Sequence, residues 1–419
     1  MTIVRVGTVI DGTGAAPISG AELHIQDGRI ARVGKDQIGT ESQELVYDYS
    51  HLTALPGFID LHSHFCYPIH GEFQKAEQNP NQVDMVTLGF KAARSWLEQG
   101  VTTARVVGTH FDLDFGLREL VAQRPDLGPR IVAAGRMMTM TGGKRTPWDV
   151  LKEEVSGAAE ARRWSRAHFA RGADLVKLYC TTLLEEDVAG YLKRKLALPE
   201  DAPDPGRWAS LSVEEIRAVA DEAHKIGRTV AAHVAPTFGI KIALLGGVDT
   251  IDHGSELDDE CISLFLKTGA TLVPTLSVAR PHRREEDSET GKVYAQSARK
   301  RWELNSRLVR QAFEAGVKIG TGTDAVMPDM DYWTEVELLV DVGLPPMEAL
   351  RCGTQRAAAC MGDAGKQYGT LQPGNWADMV LIDGDPLADI RNIRRVVSVW
   401  KAGRIVASPM AGDKEVAHG

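Results

Sequence analysis

Eight apolar runs recur along the middle of this chain, most of them separated by stretches of helical spacing. That alternation restricts the fold more than any other feature. The runs are Leu55–Phe65, Thr102–Gly108, Arg130–Gly135, Leu175–Cys180, Thr229–Ala235, Thr250–Gly254, Thr271–Ser277 and Lys318–Ala325. Between them, Asp84–Gln99 and Val213–Ile226 carry apolar residues at helical intervals. Ser212 and Glu215 form a capping-box pattern at the start of the second. Gln99-Gly100, Ile226-Gly227 and Ala315-Gly316 supply the glycine that ends a helix. Strands alternating with helices over roughly 300 residues predict an α/β fold, a (β/α)8 TIM barrel. An open doubly wound sheet is the alternative, but it more often carries its ligand motif in a glycine-rich first turn. No such turn is present.

The two ends read differently. Ile3–Val6, Glu22–Gln26, Arg29–Val33 and Leu45–Asp48 are short strands, with Asp11-Gly12 and Asp27-Gly28 as turns. Asp378–Ile382 and Val396–Lys401 resume that style, with turns at Asp383-Gly384 and Ala402-Gly403. Each end is short for a core of its own. They predict one small β-sandwich-like domain, built from residues 1–55 and 366–419, beside a barrel at 56–365. Two long loops, 181–211 and the one containing Pro281–Asp287, fall on the barrel face where active sites are built.

A chain of 419 residues, 43% hydrophobic and 25% charged, has the ordinary balance of a soluble protein with a large core. The formal charge of −9 offers no general attraction for nucleic acid or anionic membrane. No apolar stretch is long enough to span a bilayer, and Met-Thr-Ile-Val-Arg-Val lacks a signal-peptide layout. Five cysteines, at 66, 180, 261, 352 and 360, form no redox or zinc-finger pair. The expected setting is the reduced cytoplasm.

The chemistry lies at the strand ends. His62 and His64 are two apart on a strand, so they share a face and reach one metal ion. His233, His253, Asp324 and Lys177 end similar apolar runs, and each is expensive to bury without a partner. Barrel strand ends converge on one axis, which brings residues far apart in sequence together. Four imidazoles and a carboxylate suit zinc or a similar first-row divalent ion. Lys177 belongs among cations only as a free amine or as a carbamate, whose two anionic oxygens bridge two metals. Its ordinary reading is a pair with an acid such as Asp174, or an ammonium reaching solvent.

Five motifs together resemble the amidohydrolase superfamily, in the branch of prolidase-like dipeptidases and imidazolonepropionase-like proteins. They are Pro56-Gly-Phe-Ile-Asp-Leu-His-Ser-His64, Gly172-Ala-Asp-Leu-Val-Lys177, Ala231-Ala-His233, Asp249-Thr-Ile-Asp-His-Gly254 and Gly322-Thr-Asp-Ala325. The segment Gly369–Ile382 is similar to the family's return into its small β domain. The resemblance implies two divalent ions. His62, His64 and Asp324 would hold the more buried one, His233 and His253 the more exposed one, with a carbon dioxide-derived carbamate on Lys177 bridging. It implies amide hydrolysis by a metal-bridging hydroxide, with Asp324 as proton shuttle, in a homo-oligomer acting on a small molecule such as an N-acyl amino acid or dipeptide.

Three departures spare these ligands. Relatives often carry a histidine after the paired glycines, where this chain has Lys144. They often carry another two places beyond the fifth-strand ligand, where it has Ala235, and a His-Gly element where it has Val326–Trp333. A substrate other than an Xaa-Pro dipeptide follows from them. Lys144, Tyr179 and His282 are the candidate substrate contacts, alongside Arg145, His70, His110, Trp148 and Trp333. Each is alternatively a surface polar group or a packing aromatic. Cys66 and Cys180 read as small buried residues. The alternatives are cyclic-amide hydrolysis or deamination at a mononuclear site and, more remotely, a non-catalytic binding protein. A binding protein would be expected to have a broken ligand set.

Overall fold

The computed structural model describes residues 1–35, 45–66, 81–141, 152–181, 211–279, 289–325 and 330–409, with backbone alone over 289–301. Four strands open the chain: β1 (Thr2–Val9), β2 (Ile18–Gln26), β3 (Arg29–Gly34) and β4 (Leu45–Pro56). The middle contributes β5 (Phe58–Ser63), β6 (Val101–Val106), β7 (Arg130–Ala133), β8 (Met137–Met140) and β9 (Lys152–Val155). It continues with β10 (Leu175–Tyr179), β11 (Thr229–Val234), β12 (Thr250–His253), β13 (Thr271–Val273) and β14 (Lys318–Ile319). The end adds β15 (Met379–Ile382), β16 (Val396–Lys401) and β17 (Arg404–Ala407).

Each of the eight apolar runs contains a parallel strand, and β8 and β9 come in addition. The parallel strands form the sheets β5-β6-β7 and β14-β13-β12-β11-β10-β8-β9. Backbone bonds also run from one sheet to the other: Asp174 N donates to Ala133 O at 2.8 Å, Leu61 N to Thr321 O at 3.0 Å and Asp324 N to His62 O at 2.8 Å. Helices pack around them. The helix expected over 84–99 runs Gln82–Glu98 behind an Asn81 cap. The helix Val213–His224 starts at the Ser212–Glu215 capping box, both halves of which are formed.

Gly57 splits the expected run Leu55–Phe65. Leu55 and Pro56 end β4 and pair with β15, while β5 starts at Phe58 beside β6. A side chain at Gly57 would place its Cβ 2.1 Å from Thr102 Oγ1, so the crossing between sheets needs glycine. Strands from both termini join in one ladder, β17-β16-β15-β4-β1-β2-β3. All seven strands of the expected β-sandwich-like unit thus follow one continuous hydrogen-bonded order. Long β4 unites its halves by pairing parallel with β1 and antiparallel with β15. The hairpin expected at Asp27-Gly28 forms with φ of 51° and 77°, a type I′ geometry. Val4, Leu23, Ile25, Leu52, Met379 and Trp400 make this sheet's core, separate from the main core under the helices. Apart from their ends, both long loops lie outside the described residues. Among those described, no helix is long and apolar enough to cross a membrane.

Candidate metal centre

His62 and His64 leave the end of β5 on one face. Their Nε2 atoms lie 3.2 Å apart, and Asp324 Oδ1 sits 3.4 Å from the first and 3.3 Å from the second. Donor atoms at about 2.05 Å from a tetrahedral zinc stand about 3.3 Å from one another, so this triangle has the edge lengths that ion needs. His64 Nδ1 donates to Gly108 O at 3.0 Å, which leaves the Nε2 lone pair for the group. Asp324 reaches it through a left-handed backbone, φ 47°, with its N–H on His62 O. Burial opposes charge on Asp324, but His62 and His64 beside it hold the carboxylate well below its usual range.

His233 and His253 arrive from adjacent strands. His233 is opposite Asp252 in the β11–β12 register, and Val234 is opposite His253. Neighbouring strand residues normally point to opposite faces. A left-handed φ of 73° at His253 breaks that rule, so Asp252 and His253 both serve the interior. His253 Nε2 lies 2.8 Å from His233 Nδ1, and its Nδ1 lies 2.7 Å from Thr275 Oγ1. The His62 and His253 rings are 5.1 Å apart, which joins the two groups. Burial brings the His253 pKa down to about 3 and His233 well below its ordinary value. Both rings are therefore neutral, the form that ligates a metal.

Lys177 is buried, and its Nζ contacts Asp252 Oδ2. Asp174, the nearby acid suggested by sequence, instead binds Arg118 and Arg228 at 2.7 Å each. Burial pulls the Lys177 pKa down while Asp252 opposes it. Asp252 and buried Arg105 escaped the sequence reading. The readable signal was a second polar residue beside His253, and an arginine within an otherwise apolar strand.

Tyr179 joins the site: its ring stacks on His233 with centroids 4.2 Å apart. His110 is buried, and burial followed by His64 takes its pKa down to about 4. Trp333 is a packing residue, donating to Gln99 O at 3.0 Å under the Arg394 guanidinium. Lys144, His282, Arg145, Trp148 and His70 lie outside the described residues. Cys66 and Cys180 are buried with thiols pushed up to about 12 by burial, which suits packing and not nucleophilic attack.

Residues 53–406 match the Amidohydrolase family. The chain is 25% identical to an Aspergillus niger protein named ochratoxinase, over 98% of this chain and 88% of that one. It is 22% identical to the imidazolonepropionase of Caldanaerobacter subterraneus subsp. tengcongensis, over 88% of this chain and 85% of the other. A crystal structure of a Xaa-Pro dipeptidase with methionine bound in its active site superposes with a TM-score of 0.83 at 26% identity, covering 96% of this chain and 99% of that one.

Proposed function

The chain belongs to the amidohydrolase family and is an enzyme of C–N bond hydrolysis, and from that premise we propose that it cleaves an amide in a small molecule such as an N-acyl amino acid or dipeptide. The observation that carries this reading is the meeting of His62, His64 and Asp324 donor atoms within 4.8 Å of one another. On this reading those three residues hold one divalent ion, His233 and His253 hold a second, and Lys177 spans them as a carbamate. Zinc suits the donor set.

Ions bound there supply activated water and polarise the scissile carbonyl. The Asp324 carboxylate, whose Oδ1 lies beside both Nε2 atoms, would take the water's proton and hand it to the leaving nitrogen, which departs poorly unprotonated. Tyr179 lies against His233 and contacts the substrate, with Lys144 and His282 as further contacts. The bonds joining the two parallel sheets support a closed (β/α)8 barrel at 56–365. The terminal strands would form a small domain of residues 1–55 and 366–419. A cytoplasmic homo-oligomer completes the proposal.

The contact of Lys177 with Asp252 favours a second reading, a mononuclear site acting on cyclic amides or by deamination, because there the lysine stays an ammonium. One experiment separates them. Metal per chain is measured on protein purified with bicarbonate, for wild type and Lys177→Ala, with hydrolysis of a panel of N-acyl amino acids and dipeptides. About two ions, falling in the variant together with hydrolysis, support the bridged site. One ion, indifferent to Lys177, supports the mononuclear one.

A further inference from the structure

We propose that Asp252 is a positioning residue that orients both Lys177 and His62, with Arg105 as its permanent counter-cation. The inference rests on reading Lys177 as a bridging carbamate. Asp252 is fully buried, and its two oxygens face different partners. Oδ2 contacts Lys177 Nζ and lies 3.1 Å from His62 Nδ1. Oδ1 lies 3.3 Å from Arg105 Nη2 and 3.4 Å from Thr250 Oγ1. Arg105 is itself pinned, Nε donating to Leu61 O and Nη1 to Thr250 Oγ1 at 3.1 Å. Leu61 precedes His62, so the guanidinium ties Asp252 to the strand that carries the histidine pair.

The arrangement fits both states of the lysine. On carboxylation the carbon of carbon dioxide bonds to Nζ, the ammonium releases two protons to solvent, and one N–H remains. That N–H keeps Asp252 Oδ2 as acceptor, which turns the new carboxylate away from Asp252. Lys177 thereby changes from cation to anion, and a buried aspartate beside it needs another positive charge. Arg105 supplies it. His62 Nδ1 has no aligned hydrogen-bond partner among the described residues, and Oδ2 is the acceptor at hand. A proton held there leaves the Nε2 lone pair for the metal group.

The test uses Asp252→Asn in protein purified with 13C-bicarbonate, reading the carbamate carbon resonance, metal affinity and the thermal midpoint of metal-free protein. The variant is expected to lose the resonance and to bind metal about 10–100-fold more weakly. A purely structural role would lower the metal-free midpoint and spare the resonance. Thr250→Val keeps the carboxylate but removes the hydroxyl beside Oδ1 and Arg105. If Asp252→Asn does not fold, this milder variant is expected to weaken metal binding measurably with the fold intact. Retention of the resonance and of wild-type affinity in the folded variant overturns the proposal. Absence of the resonance from wild type instead removes the carbamate reading, and this role for Asp252 falls with it.

Discussion

Asp60 Oδ2 accepts a 2.7 Å hydrogen bond from Trp96 Nε1, fixing the helix Gln82–Glu98 to the strand that carries His62. The same buried carboxylate accepts from His62 N at 3.0 Å, Thr323 N at 3.1 Å and Thr323 Oγ1 at 2.8 Å. One side chain therefore joins the first histidine pair to the segment that delivers Asp324. Asp60→Ala strands these donors without water, each at about 1–3 kcal/mol. The variant is expected to lose more than about 3 kcal/mol in urea unfolding and to hold less metal. A loss below about 1 kcal/mol would mean the donors find other partners.

The two proposed ligand groups are expected to fail differently. His62 stands in the triangle with His64 and Asp324, and its Nδ1 also lies 3.1 Å from Asp252 Oδ2, the partner of the Lys177 that spans both ions on the proposed reading. His62→Ala should therefore empty both positions. His253→Ala removes a ligand from the second group alone and should keep about one ion per chain. Metal per chain by mass spectrometry, read beside amide hydrolysis, distinguishes them. Unchanged metal content in His253→Ala would remove His253 from the ligand set.

The residues proposed as ligands were legible because each is a polar residue ending an apolar run, a placement that demands a partner. The strands were legible for a related reason, since turn residues bound each run. β8 and β9 were not. Met137–Met140 lacks the β-branched enrichment of a strand, and Lys152-Glu-Glu-Val155 has the composition of a solvated surface. The partner of Lys177 was hidden by distance: Asp174 is close in sequence, but Asp252, 75 residues away, contacts its Nζ. Nor does composition reveal the left-handed backbone at His253, which alone lets two adjacent residues face the same site.

Gly57 offers a test of the junction between sheets. An alanine Cβ there would lie 2.1 Å from Thr102 Oγ1, 2.3 Å from its Cγ2 and 2.7 Å from its Cβ. Its φ is not in the left-handed region, so the penalty is steric. Gly57→Ala is expected to destabilise by about 1–3 kcal/mol. Adding Thr102→Gly removes all three atoms, and the double variant should then be close to Thr102→Gly alone. Simple additivity in a double-mutant cycle would show that the strain lies elsewhere.

Lys401 gives the fold a pH dependence of its own. The side chain is buried, with Nζ donating to Gly128 O at 2.7 Å and Pro125 O at 3.2 Å. Burial, and then the Arg130 charge, bring its pKa down to about 7. In the unfolded chain it returns to the ordinary lysine value of about 10.4. Between those values the unfolded state holds the extra proton, so stability contributed by this group rises with pH. Below about pH 7 both states are protonated and the burial penalty is complete. Lys401→Met loses the titration, and its lost carbonyl contacts shift the curve by a constant. The thermal midpoint of wild type minus that of the variant, followed from about pH 6.5 to 9.5, should therefore climb. A flat difference would mean that Lys401 stays charged across the range, held by the two carbonyls despite its burial.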